Sequence, residues 1–233
     1  MSNLNNVKMV VQAVPKRKPA TRKAHGAKAR GARPYHHGNL REQLLAATEA
    51  LILERGVDGF ALREVARRAG VSPAAPAHHF GDARGLLSEL ALQGFQEFGD
   101  DLAAADARGG NNPAKRLNEQ GLAYVAFAMK RPARFTLMFR HDVCDMSYRD
   151  LATVGNRAFR VLEGAIRAAK GLEPEGDMTP DAWGMLLATW SMVHGFAHLA
   201  LGGEFNYAAM ASGGKDVIGQ SFLPLMLAHL PKG

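Results

Sequence analysis

The stretch REVARRAGVSPAAPAHHF (63–80) decides the fold, because it holds a helix, a turn signal and a second helix start close together. Apolar residues recur with helical spacing over 62–68, which predicts a short helix with one buried face. Gly70 can adopt the left-handed conformation that reverses the chain. Ser72 can cap a second helix, and Pro73 suits the first position of that helix. Two helices joined by so short a turn form a helix-turn-helix.

In such a motif the second helix enters the DNA major groove while the first lies across the backbone. The small side chains of Ala74, Ala75 and Ala77 would let a helix sit deep in the groove, and alanine can touch thymine methyl groups. An enzyme can contain the same tight corner, so the corner alone leaves both interpretations open. The side chains that we predict to contact DNA are Arg41, Arg63, Ser72, Pro73, Ala74, Ala75, Ala77, His78, His79 and Arg84.

The rest of the chain also reads as helices. Asn39 can cap a helix that Gly56 ends, and Asp82 can cap another. No segment alternates with a period of two for long enough to indicate a strand. We therefore predict an all-α protein. The break at RGGNNP (108–113) precedes helices expected over 114–130, 134–140, 147–170, 181–201 and 214–230.

The charge of the chain is concentrated at its start. Of 233 residues, 29 are Lys or Arg and 22 are Asp or Glu, and residues 1–37 hold nine of the basic residues and none of the acidic ones. A basic segment without apolar periodicity predicts a disordered tail. That tail either adds salt-dependent DNA affinity or is merely solvated. The tail is predicted to cover residues 1–34.

A longer stretch, HHGNLREQLLAATEALILERGVDGFALREVARRAGVSPAAPAHHFGDARGLL (36–87), resembles the DNA-binding region of TetR-family transcriptional regulators. The resemblance implies an N-terminal three-helix helix-turn-helix DNA-binding domain, here 35–88. It also implies a linker helix and an all-α C-terminal domain, here 89–233, that dimerises and usually holds a small-molecule inducer. The chain departs from the family at Ala61, where Ser or Thr usually caps the second helix. It also departs at Ala77, where a phosphate-binding Tyr is common, and at Ala83, where Arg84 could replace a common Lys.

In the C-terminal half, Trp183, Trp190 and His194 share one face of an uncharged helix. WSMVHGFAHL (190–199) resembles a Trp-His-Gly signature found in a subset of TetR-type C-terminal domains. Eight of the ten methionines follow residue 100, and flexible thioethers suit either an adaptable apolar pocket or plain core filling. The predicted ligand-binding side chains are Phe127, Met138, Trp183, Trp190 and His194.

Several other chemistries are weighed and set aside. The pairs His36/His37 and His78/His79 lack cysteine partners at zinc spacing, and HGFAH (194–198) lacks the glutamate of the HExxH motif. The single cysteine, Cys144, excludes an internal disulfide. Residues 182–203 contain no charge and could suggest a membrane span, but acidic flanks favour a helix buried in protein.

We therefore expect a cytoplasmic, homodimeric repressor with double-stranded operator DNA and a small, hydrophobic effector as partners. The last two helices of each subunit should form the dimer interface, as the resemblance implies. No cofactor, metal or enzymatic reaction is predicted. Two alternatives stay open: an enzyme that uses His194 and His198 with Asp181 or Glu204, and an architectural protein that binds DNA non-specifically through its tail.

Overall fold

The computed structural model describes residues 40–214 and 216–229, and within those ranges it is helical without any strand, as the sequence predicts. The predicted disordered tail and the predicted cap Asn39 lie outside the described residues. The α-helices are α1 Leu40–Arg55, α2 Leu62–Arg68, α3 Ala75–Phe80, α4 Ala83–Gly109, α5 Pro113–Lys130, α6 Pro132–Met138, α7 Leu151–Ala169, α8 Pro180–Gly202, α9 Asn206–Ala211 and α10 Leu223–Leu227.

Helices α1 to α3 pack through contiguous apolar residues. Leu44 and Leu51 on α1 and Val65 on α2 are fully buried. Phe80 is a buried residue that α3 contributes to the same core. Gly56 ends α1 with a φ of 73°, as predicted. The three helices thus form a corner whose core comes from a single stretch of chain.

The start of α3 differs from the prediction. The helix begins at Ala75 rather than Pro73, its N-cap is Ala74, and the Ser72 hydroxyl caps nothing. A helix that started at Pro73 would need the backbone N–H of residue 76 for its first intrahelical bond, and Pro76 has none. Starting at Ala75 places Pro76 in the first turn, where a missing N–H costs nothing.

Helix α4 is continuous from the corner into the C-terminal half. The side chain of Asp82 accepts a hydrogen bond from the Gly85 N–H at 2.8 Å, so the predicted cap is confirmed. The predicted domain boundary after residue 88 falls inside this helix. Helix α4 packs against α5, α6 and α7, and α5 packs against α8.

The C-terminal end is more broken than predicted. Instead of one helix over 214–230, a π-helical turn at Ile218–Phe222 leads into α10, and α9 lies where a loop was expected. Pro224 cannot donate the backbone hydrogen bond that would continue a regular helix. Widened turns of this kind are one way for a chain to accommodate that loss.

Candidate functional site

The turn between α2 and α3 is built as the sequence predicts. Gly70 has a φ of 69°, in the left-handed region that favours glycine. The Val71 N–H donates to the Ala66 carbonyl at 3.0 Å, a bond that closes the end of α2. Val65 and Ala66 are buried beneath the turn. The reversal therefore fixes α3 against α2 through local bonds and apolar contact.

Helix α3 turns its apolar residues inward and its small residues outward. Pro76 and Phe80 are buried, whereas Ala77, His78 and His79 are exposed. The preceding residues Ser72, Pro73 and Ala74 are also exposed, and Ala75 is half-buried. This surface, residues 72–79, is a short ridge without Asp, Glu, Lys or Arg that another molecule can approach closely.

The side chains around this ridge carry positive charge. Arg63 is exposed on α2 and makes no ion pair with any residue that the structure describes. Arg67 and Arg68 share the Glu64 carboxylate, and Arg68 also pairs with Glu54. The hydrogen bond from Arg67 holds the pKa of Glu64 at about 2. Glu64 thus stays ionised, and its carboxylate accepts hydrogen bonds from Arg67 and Arg68.

Two predicted DNA contacts are engaged inside the protein. The Arg84 guanidinium donates to the Cys144 carbonyl at 2.8 Å. Arg41 lies 4.6 Å from the centre of the Phe80 ring and 2.6 Å from Glu89. Both arginines therefore link the corner to the segment that follows α6, and their role in DNA contact stays a prediction.

A cavity of about 380 Å³ lies among α4, α5, α7 and α8. Six aromatic side chains form much of its wall: Phe95, Phe98, Tyr124, Phe139, Phe159 and Trp190. Its volume lies near the lower end of the range of about 300–1,000 Å³ for small-molecule sites. The described part of the chain thus contains a pocket of suitable size for a small ligand.

Only Trp190 among the five predicted ligand-binding residues lines this cavity. Phe127 and Met138 are buried in the core, and Met138 packs against Gly94. Trp183 is 42% exposed and stacks on Phe159 from outside.

The sequence prediction missed the walls supplied by α4 and α7. The spacing of Phe95, Phe98 and Leu102 on α4 places an apolar stripe beyond the corner, and this was the available signal. The number of methionines was a poor guide to the cavity. Among the described residues only Met146 lines it, while Met129 and Met210 are exposed. Plain core filling and surface positions account for most of the others.

His194 stands behind the wall and connects two lining residues. Burial, followed by the nearby His198, lowers the pKa of His194, so the ring is neutral at pH 7. Its Nδ1 lies 2.7 Å from the Tyr124 hydroxyl, and Trp190 Nε1 donates to the same hydroxyl at 3.4 Å. The Tyr124 hydroxyl is thus hydrogen-bonded to both the His194 imidazole and the Trp190 indole, which ties the three side chains together.

The described residues include no cluster of three or more potential metal ligands. His194 and His198 contact each other edge to face, with ring centres 4.5 Å apart. Cys144 is buried, and burial raises the pKa of its thiol to about 11. His36 and His37 lie outside the described residues.

Two family models match the chain, one up to the first turns of α4 and one beyond the end of that helix. Residues 44–90 match the model described as bacterial regulatory proteins, tetR family. Residues 117–215 match the tetracyclin repressor-like C-terminal domain. The chain belongs to the TetR family. Members of this family regulate transcription by binding DNA, and the match to the N-terminal family model includes the helix-turn-helix. Membership of the Trp-His-Gly subset stays a prediction.

Individual TetR-family relatives agree with that assignment. The regulator BetI of Stenotrophomonas maltophilia is 36% identical over 77 residues, which cover 33% of this chain and only 39% of the relative. A structure of a protein with unknown function from Rhodococcus sp. RHA1 is 32% identical with a TM-score of 0.62, covering 85% of this chain and 99% of that one. The regulator PfmR from Thermus thermophilus shares the fold at 19% identity, a TM-score of 0.58, and coverage of 83% and 98%.

Proposed function

We propose that this TetR-family protein is a cytoplasmic, homodimeric repressor that a small, mainly apolar ligand releases from operator DNA. The observation that carries the proposal is the exposed ridge of small residues at 72–79, together with the exposed Arg63 on the preceding helix α2. No enzymatic reaction or cofactor is assigned. The cavity and the aromatic network around Tyr124 supply the ligand site.

On DNA, α3 enters the major groove with Ala77 and His78 towards the base edges. Arg63 and the exposed His79 bind phosphates on either side of the groove. The basic tail, which lies outside the described residues, adds contacts that weaken as salt is raised. Arg41 and Arg84 take part only when their internal bonds to Glu89 and Cys144 open.

The dimer forms through the exposed side of α8. Trp183, Leu187 and Leu199 lie exposed on this helix, which is by length and composition apolar enough to cross a membrane. An apolar face of this kind is stable in water only if a partner covers it. A second copy of α8, related by a two-fold axis, covers it and sets the two α3 helices one DNA turn apart, about 34–36 Å.

The segment between α6 and α7 couples the cavity to the corner. Phe139, His141 and Met146 on this segment line the cavity. The same segment holds Arg84 through the Cys144 carbonyl, and its Asp145 N–H donates to Ser88 on α4 at 2.7 Å. A ligand that displaces Met146 would thus alter the bonds at the start of α4.

Glu89 lies at the centre of this junction. It is 5% exposed and binds Arg41, Tyr148 and Arg149. Arg149 and Asp150 have backbone φ values of 44° and 61°, which residues other than glycine rarely adopt. Backbone strain of this kind is often found at elements that switch. A ligand then acts by favouring a dimer state whose α3 spacing does not fit DNA.

Selection of genomic fragments by the purified full-length protein tests the proposal. Bound fragments should share a near-palindromic site whose half-sites lie one helical turn apart, and they should resist competition by random DNA. Equal competition by random DNA would instead show a non-specific DNA binder. Metabolites that release the selected fragments identify the effector class, and reciprocal linkage requires that operator DNA weakens the binding of the same metabolites.

A further inference from the structure

Thr189 on α8 carries a polar atom that no neighbour satisfies. The residue is 3% exposed and lines the cavity, while its hydroxyl oxygen is itself buried and has no hydrogen-bond partner among the residues that the structure describes. Thr48 on α1 is equally buried but donates to the Leu44 carbonyl of its own helix at 2.8 Å. A buried hydroxyl without a partner is costly, so a site that keeps one is suited to a ligand that supplies the missing bond.

Two other interior side chains of the wall, Tyr124 and Gln120, already make hydrogen bonds. The Tyr124 hydroxyl contacts His194 and accepts from Trp190. The Gln120 amide nitrogen donates to Asp106 at 2.6 Å and to the Val161 carbonyl. Thr189 is therefore the wall residue, among those that the structure describes, whose buried hydroxyl is left without any partner.

The wall presents no ionised partner to a ligand. Among the described residues that line the cavity there is no Asp, Glu, Lys or Arg. The nearest ion pair behind the wall joins Arg116 to Asp106 through two hydrogen bonds of 2.8 and 2.9 Å. A charged ligand would lose its hydration without gaining an opposite charge, which is strongly unfavourable.

The shape of the wall favours a ring. Phe98 meets Tyr124 edge to face with ring centres 5.0 Å apart, and Phe159 meets Trp190 in the same way at 5.8 Å. Aromatic rings add favourable geometry to such arrangements beyond the apolar area they bury. Gly155 opens the wall opposite Phe95, because a side chain there would contact that ring.

We propose that the cavity binds an uncharged aromatic molecule with one hydroxyl or carbonyl group, which forms a hydrogen bond with the Thr189 hydroxyl once rotation about the Cα–Cβ bond turns that hydroxyl from its buried position towards the cavity. This inference rests on the proposed function, because it names the class of ligand for the same cavity. Thr189 is the specificity-determining residue, and the aromatic walls hold the ring. The exposed residues His141, Ala152 and Asn156 mark where the cavity meets the surface.

Calorimetric titration of the full-length protein without DNA tests this with three matched probes: 4-ethylphenol, ethylbenzene and 4-ethylbenzoate. We expect the phenol to bind about tenfold more tightly than ethylbenzene, the benefit of one hydrogen bond. The benzoate should not bind. The variant Thr189→Ser should keep the preference for the phenol. Thr189→Val should bind the phenol and ethylbenzene equally, and Thr189→Ala provides a second variant without the hydroxyl.

Three results would overturn the inference: binding of the benzoate as tight as that of the phenol, an unchanged preference in both Thr189→Val and Thr189→Ala, or no binding of any probe. The proposed function is judged separately by release of the selected genomic fragments. A phenol that binds through Thr189 but never releases DNA would refute ligand-driven release and leave the ligand class standing. Release by other metabolites, with no role for Thr189, would refute only the ligand class.

Discussion

The DNA-binding corner and the cavity are built from opposite kinds of sequence information. The corner uses consecutive residues, and each turn, cap and buried position serves a neighbour a few places away. The cavity collects side chains from Phe95 to Val193 on four helices and the segment after α6. The corner can therefore be predicted from the sequence one residue at a time, whereas the cavity forms only when the helices pack together.

The two sites also differ in what they leave uncovered. The ridge at 72–79 exposes small side chains, which cost little in water and let a partner approach. The cavity hides large aromatic rings and one unpartnered hydroxyl, whose free energy improves only when a ligand enters. Five predictions test this difference between the two sites, and they are given in order of decreasing effect.

Phe127→Ala should destabilise the protein by about 3–5 kcal/mol, the usual loss for a buried phenylalanine. The side chain is 2% exposed and packs on Phe98 outside the cavity wall. Chemical denaturation measures the free energy of unfolding. Trp190→Phe is the matched control at the wall and should cost far less. A stable Phe127→Ala protein with altered ligand affinity would restore Phe127 as a ligand-binding residue.

Ala77→Glu should weaken operator binding about 100-fold, because a carboxylate on α3 replaces a close contact with the groove by repulsion. Stability should change little, since Ala77 is exposed and glutamate tolerates helices. Fluorescence anisotropy with a selected fragment provides the measurement. Ala126→Glu adds the same charge at an exposed site on α5. Equal losses in the two variants would mean that α3 holds no special place on DNA.

Leu187→Lys should raise the dimer dissociation constant about 30-fold, the effect of a central apolar contact in an interface. Leu187 is half-exposed on α8. Light scattering across micromolar concentrations reports the mass. Leu53→Lys changes an equally exposed leucine on α1 and should leave the mass unchanged. A dimer that survives Leu187→Lys would place the interface elsewhere.

Glu89→Gln should cost about 1–2 kcal/mol, because its carboxylate accepts charge-assisted bonds at the junction of the two sites. Burial raises the pKa of Glu89, but the bonds from Arg41 and Tyr148 outweigh it, and the pKa is lowered overall. Its stabilisation is thus present above the ordinary pKa of 4.5 and lost as pH falls through the lowered value. Chemical denaturation at pH 7 and pH 4 measures the free energy of unfolding of Glu89→Gln and of the control Glu97→Gln. Identical pH dependence in the two variants would contradict a special role for the Glu89 carboxylate.

His194→Asn should flatten a small dependence of stability on pH, by less than about 1 kcal/mol. The lowered pKa of His194 means that the unfolded chain binds a proton first. Stability should therefore fall as pH drops below the ordinary value of 6.5. Thermal unfolding at pH 7.5 and 5.5 measures the slope. If the variant keeps the full slope, another group causes it.

Sequence reasoning located the corner closely, except where Pro76 forced α3 to start later than Ser72 and Pro73 indicated. It identified the face of α8 that holds Trp190 but assigned Phe127 and Met138 to a pocket that they only support from the core. A buried aromatic residue has the same periodicity whether it faces a neighbouring helix or a cavity. The pattern along one helix therefore could not separate the two.

The sequence by itself determined the all-α class, the turn at Gly70, the cap at Asp82 and the family, because these depend on bonds and spacing within a few residues. Only the tertiary structure decided which aromatic rings enclose space, that Arg41 and Arg84 join the corner to the segment after α6, and that the Thr189 hydroxyl lacks a partner. Those facts depend on distances between helices far apart in the chain, and such distances are set by packing rather than by local preference.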